Sequence, residues 1–339
     1  MDAIASSFKP EAKAHEAIEA ARAWLDELSR IALATVVRTW GSSPVPVGGQ
    51  LAVASDERFE GSVSGGCIEA EVIFEAMDVI LSGRPKLLEF GITNETAWLA
   101  GLPCGGRIEI YVEALVAGRD GAYLDAVLEA RATRSPMVIR TALSNGSREL
   151  FDARATLTGD VADCLKSGQS RIVDAPEGRV FLHALMPAVH VIIVGATHIG
   201  QLLSDLVRRI GWNVSIVDPR SAFATEDRFG GIARHTEWPE ASLKALTLDQ
   251  HTAVVALTHV GQIDDEALVA ALGSRCFYVG ALGSQRNHAG RVERLRTAGL
   301  TEAEIARIRA PIGLAIGAKG PEEIAVAILA EIVKDRRGA

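Results

Sequence analysis

The sequence predicts an α/β protein of two domains: an N-terminal α+β domain rich in antiparallel strands, then a doubly wound parallel sheet. Three observations carry this. Val189-His190-Val191-Ile192-Ile193-Val194 is a run of mostly β-branched residues, the mark of a strand buried on both faces. It feeds a glycine turn, Gly195-Ala196-Thr197-His198-Ile199-Gly200, then helix-spaced leucines, then a strand over 213–217 that ends in Asp218. Upstream of Pro187, residues 136–143 and 148–152 flank Ser144-Asn145-Gly146-Ser147, a hairpin signal that belongs to antiparallel sheet. The expected domains are 1–186 (core 12–115, extension 119–186) and 187–339.

Taken in order, Ala14, Ile18, Ala21, Leu25 and Leu28 recur at steps of three and four and predict a first helix over 11–29. Residues 31–39 read as a strand. They run into Trp40-Gly41-Ser42-Ser43-Pro44-Val45-Pro46-Val47-Gly48-Gly49, which is too rich in glycine and proline for regular structure. Residues 50–54 are a second strand, with a turn at 55–58. A helix is expected over 68–82, closed by Gly83, and strands over 87–92 and 107–113. A helix then starts near Gly118, and short strands cover 171–174 and 179–185. In the second domain, further strands are expected at 253–257 and 276–279, with helices at 284–298 and 321–334.

The bulk composition is that of an ordinary globular chain: 339 residues, 48% hydrophobic and 23% charged. A net charge of −8 argues against a nucleic-acid or anionic-membrane surface. No apolar run approaches a membrane span, and the first residues lack the pattern of a secretory signal. The four cysteines, Cys67, Cys104, Cys164 and Cys276, show no metal-site spacing and point to a reducing, cytoplasmic compartment.

The chemistry concentrates in two loops. Ser62-Val63-Ser64-Gly65-Gly66-Cys67 precedes the 68–82 helix, which places Cys67 near a helix N-terminus, where unpaired N–H groups favour a thiolate. Glu69 and Glu71 oppose that effect. Gly101-Leu102-Pro103-Cys104-Gly105-Gly106 repeats the theme in mirror order. Ser42 and Ser43 offer hydroxyls on a ligand-facing rim. In the second domain, Gly195, Asp218, Thr258, His259 and Gly280 are expected at the carboxyl ends of strands, where open α/β sheets bind ligands, with Gly195 and Gly200 as the first and third glycines of the fingerprint turn. Gly280-Ala281-Leu282-Gly283-Ser284-Gln285-Arg286 reads as a phosphate cradle, with Gly283, Ser284 and Arg286 as its contacts. The other arginines of that helix, Arg291 among them, read as a solvated face. Thr197 stands where a dinucleotide-binding fingerprint has its second glycine.

The paired pattern GSVSGGCIE and GLPCGG resembles the XdhC/CoxI family, accessory proteins of molybdenum hydroxylases such as xanthine dehydrogenase. THVGQIDDEAL, YVGALGS and APIGLAIGAKGPEEIAVAILAEI extend the resemblance through the Rossmann-like second domain. The resemblance implies a chaperone that binds molybdenum cofactor, an anionic pterin phosphate with a dithiolene-held metal. It would protect the cofactor, present it for sulfuration and support its insertion into the apo-enzyme. The implied partners are a molybdenum hydroxylase apo-enzyme, a cysteine desulfurase-type sulfur donor and further copies of the chain in a homo-oligomer. Ser64, Gly65, Gly66, Gly105 and Gly106 are then cofactor contacts, with Cys67 and Cys104 as thiolates near the metal. Two other readings are an NAD(P)-dependent oxidoreductase, with Asp218 on a ribose and His259 as acid/base, and a non-catalytic adaptor.

Overall fold

A computed structural model describes residues 16–41, 43–66, 68–91, 107–153 and 155–338. The chain divides into two compact units, Met1–Pro187 and Ala188–Ala339.

The first unit is built on two antiparallel sheets. One contains β1 (Arg30–Trp40), β2 (Gln50–Ala54), β3 (Phe59–Gly61), β4 (Lys86–Phe90) and β5 (Arg107–Val116), in the order β3-β2-β1-β5-β4. Its central strands are buried on both faces, and alternate residues enter different cores. Ala32, Ala34 and Val36 of β1 pack with Val72, Ala76 and Val79 of α2 (Glu69–Ser82). Ile31 and Leu33 pack with Ile18, Ala21 and Leu25 of α1 (Glu16–Glu27) and with Leu124 and Val127 of α3 (Gly121–Ala132). Period-2 burial on the strand and period-3.6 burial on the helices are thus satisfied together. Gly83 ends α2 at φ +69°, where its N–H returns to the carbonyl of Val79.

The other sheet has the order β7-β6-β9-β8, from β6 (Met137–Ala142), β7 (Arg148–Asp152), β8 (Arg171–Ala175) and β9 (Gly178–Leu185). A helix that the sequence pattern does not predict, α4 (Gly159–Ser167), buries Cys164 against Val138, Val180 and Leu182.

The second unit is a six-stranded sheet, parallel throughout. Its strands are β10 (His190–Val194), β11 (Asn213–Val217), β12 (Ala233–His235), β13 (Thr252–Ala256), β14 (Tyr278–Ala281) and β15 (Ile308–Arg309), in the order β12-β11-β10-β13-β14-β15. The order runs outward in both directions from β10, as in a doubly wound dinucleotide-type fold. Val191 and Ile193 face a core closed by α5 (His198–Arg209) and α10 (Pro321–Arg337). Ile192 and Val194 face the opposite core, closed by α6 (Pro239–Ala245), α7 (Gly261–Leu272) and α8 (Gln285–Thr297), with α9 (Glu302–Ile305) at its edge. Among the described residues, no helix is long and apolar enough to cross a membrane.

Candidate functional site

The loop ahead of α2 is organised by one carboxylate. The Glu69 side chain turns back and collects the loop's donors. Its Oε1 accepts the Ser62 hydroxyl at 2.6 Å and the N–H groups of Val63, Ser64 and Gly65 at 3.2, 2.9 and 3.1 Å. Its Oε2 accepts the Gly66 N–H at 2.9 Å and the Ser64 hydroxyl. Gly65 and Gly66 reach φ +81° and +111°, which lets successive N–H groups point to one side. Burial alone would raise the carboxyl's pKa, but bonds from Ser62, Ser64 and the loop amides prevail and hold it at about 2.

Sequence reasoning counted Glu69 only as a charge near Cys67. A glutamate at the start of a helix that follows a serine-glycine loop is the signal that was there to read. The amides expected to meet a ligand, those of Ser64, Gly65 and Gly66, instead meet Glu69. The Ser43 hydroxyl donates to the carbonyl of Val45 at 2.7 Å. Ser42, Cys67, Cys104, Gly105 and Gly106 lie outside the described residues.

Beside this loop, within the first unit, is a cleft of about 590 Å³. Its walls are residues 44–49 of the rim, Ser62, residues 168–170, His183 and Ala184. None of these carries a charged side chain. His183, on β9, is 7% exposed. Burial, with the positive charge of Arg131 adding to it, lowers its pKa to about 4, so the ring is neutral at neutral pH. A second cleft, of about 560 Å³, borders an ionic cluster in which Arg148 pairs with the buried Glu113 at 2.6 Å and the buried Asp120 at 2.9 Å. Burial pushes the Glu113 carboxyl up despite the pull of Arg148.

In the second unit, the expected strand-end residues divide. Gly195 (φ +119°) and Thr258 do meet at the switch between β10 and β13, where a Cβ on Gly195 would come within 2.9 Å of the Thr258 methyl. A Cβ on Gly200 would stand 2.6 Å from the Gly195 carbonyl, so that glycine lets α5 pack on β10. Thr197, in the place of the second fingerprint glycine, caps α5 by accepting the Gly200 N–H at 3.1 Å. Asp218 is fully buried. One oxygen takes the Ala196 N–H at 2.8 Å, and both are clamped by Arg220 at 2.9 and 2.8 Å. Although burial opposes it, that clamp keeps the carboxyl's pKa low.

Thr258 donates its hydroxyl to the buried Asp264 at 2.7 Å, and His259 is exposed at φ +61°. Gly280 is not at a strand end. It lies inside β14, where a Cβ would strike Ile312 at 2.5 Å and the Tyr278 hydroxyl at 2.7 Å. Gly283 (φ +138°) leads into Ser284, which caps α8 through the Asn287 N–H, and Arg286 is exposed. The arginine that turns inward is Arg291, buried and donating to the Leu282 carbonyl at 2.9 Å, 3.7 Å from Asp264. Its spacing on α8 places it on the inner face with Leu295.

Fold and site together define a two-unit α/β protein. A glycine-serine cysteine loop and an uncharged cleft lie in the first unit, and the second is a Rossmann-type sheet whose own side chains occupy its strand ends. The chain belongs to the XdhC and CoxI family, which matches over residues 24–91, while residues 191–332 match the XdhC Rossmann domain. It is 31% identical over 307 residues to the molybdenum cofactor insertion chaperone PaoD of Escherichia coli, covering 90% of this chain and 83% of that protein. To a probable xanthine dehydrogenase subunit of Bacillus subtilis it is 27% identical, covering 93% of this chain and 96% of that protein. A crystal structure from Bacillus halodurans, described as a xanthine dehydrogenase, superposes with a TM-score of 0.72 at 23% identity over 95% of this chain and 96% of that one, a likeness of fold.

Proposed function

We propose that this protein is a molybdenum cofactor insertion chaperone for a xanthine dehydrogenase-type hydroxylase. The observation that carries the reading is the 31% identity to a protein of that name over 90% of the chain. The finer steps belong to the same proposal: the cofactor is sheltered, presented to a desulfurase-type sulfur donor and passed to the apo-enzyme by a cytoplasmic homo-oligomer. Cys67 and Cys104 are its candidate thiolates, and Arg286, at the exposed start of α8, is its candidate phosphate contact. The cofactor is cargo here, and the chain's residues serve to hold and orient it.

The oxidoreductase reading needs Asp218 on a ribose. That carboxylate is already held by Ala196 and Arg220, which supports the chaperone reading instead. The test is anaerobic loading with molybdenum cofactor, followed by gel filtration, metal analysis and an absorbance spectrum. The wild type is expected to retain molybdenum, Cys67→Ala to lose most of it, and Cys164→Ala to behave as wild type. Tight NADH binding without cofactor retention would overturn the proposal.

A further inference from the structure

We infer that the cleft walled by His183 seats the uncharged, flat heterocyclic part of the ligand, with His183 as its hydrogen-bonding partner. The inference rests on the chaperone reading for the ligand's identity and on the cleft itself for its chemistry. His183 is nine-tenths buried, and among the described residues neither ring nitrogen has a hydrogen-bond partner. Its ring opens on the cleft, so the partner of its nitrogens is whatever occupies that space, water or ligand. Being neutral at pH 7, the ring offers one donor and one acceptor rather than a charge.

The walls select against an anion. Among the described residues no lysine or arginine lines the cleft, and Pro44 and Pro46 present no N–H groups. Val45 and Val47 supply apolar surface. A phosphate would lose hydration and gain no countercharge. A planar, neutral ring bearing donors and acceptors on its edge would gain apolar contact on its faces and a hydrogen bond at His183. Gly48 keeps the edge of the imidazole clear, because a Cβ there would come within 2.8 Å of Nε2 and its φ of +94° disfavours any other residue. A pterin, a bicyclic ring with amino, ring N–H and carbonyl groups along one edge, has this chemistry.

The probe is therefore free pterin, 2-amino-4-oxopteridine, titrated by its own fluorescence into the full chain. Wild type is expected to bind it saturably, with no competition from inorganic phosphate. His183→Phe keeps the ring's shape and should weaken binding about two- to tenfold, the range of one neutral hydrogen bond. Gln169→Trp, from an exposed position on the cleft's edge, should block binding without touching the core, so the test survives a folding defect in the first variant. No binding by wild type, or both variants binding as wild type, would overturn the inference. If wild type and His183→Phe retain molybdenum cofactor equally, the cleft is excluded while the chaperone reading stands. If pterin binds but no cofactor is retained, the chaperone reading fails and the cleft stands.

Discussion

Glu69→Gln tests whether one carboxylate shapes the cysteine loop. The change keeps volume and one oxygen but removes the charge, and it turns an NH2 group toward donors that Oε2 now accepts, the Gly66 N–H and the Ser64 hydroxyl. The fall in pKa from an ordinary 4.5 to about 2 corresponds to roughly 3 kcal/mol at 1.36 kcal/mol per unit. Glu69 is only half-buried, so solvent screening brings the expectation down to about 2 kcal/mol. For a unit of this size, that lowers Tm by about 4–8 °C.

The pH dependence gives the sharper readout. A carboxyl whose folded pKa is depressed stabilises the fold above its unfolded pKa and stops doing so as pH falls through the folded one. The gap between wild type and Glu69→Gln should therefore be full above about pH 5 and close as pH falls from about 4.5 toward 2. The assay is urea unfolding of both proteins between pH 3 and pH 8, followed by far-ultraviolet circular dichroism. A gap below about 0.5 kcal/mol at pH 7, or one that does not change with pH, would refute the reasoning.

Arg148→Ala should destabilise the first unit by about 3–5 kcal/mol, because it leaves Glu113 buried without its cation, while Asp120 keeps Arg119 at 2.7 Å; equal urea midpoints for variant and wild type would contradict this. Cys164 and Cys276 are buried and their thiol pKa values are raised, mainly by desolvation. Dithionitrobenzoate at pH 7 should label them only after unfolding, and fast labelling of either in the native protein would count against the burial described.

What could be read from sequence was whatever repeats. The β10 run, its glycine turn and the leucines of α5 each obey a period, and the parallel sheet followed from them. The strands β3 and β12 are three residues long, too short to show any alternation, and each is an edge strand defined by its pairing to the strand before it. Gly280 was misplaced because a glycine at the end of an apolar run reads as a turn. Only the packing of Ile312 and Tyr278 reveals a strand interior that has no room for a side chain. Arg291 illustrates the opposite limit. Charge alone put it on the solvated face, whereas its helical phase with Leu295 put it inside.

Glu69 and His183 were missed for a common reason: each acts through groups distant in sequence or through the backbone, which carries no residue code. Their settings meet at Ser62. Its hydroxyl donates to Glu69 at 2.6 Å and accepts the Gly65 N–H at 2.9 Å, while the residue itself lines the cleft beside His183. A ligand that draws on the Ser62 hydroxyl must compete with a carboxylate whose low pKa measures how firmly the loop holds it. An anionic group would have to displace that carboxylate, whereas a neutral edge can share the hydroxyl's remaining lone pair and leave the Glu69 bonds in place. The loop is therefore set before the ligand arrives, and the binding energy of a neutral ring in the cleft need not be spent on ordering residues 62–66.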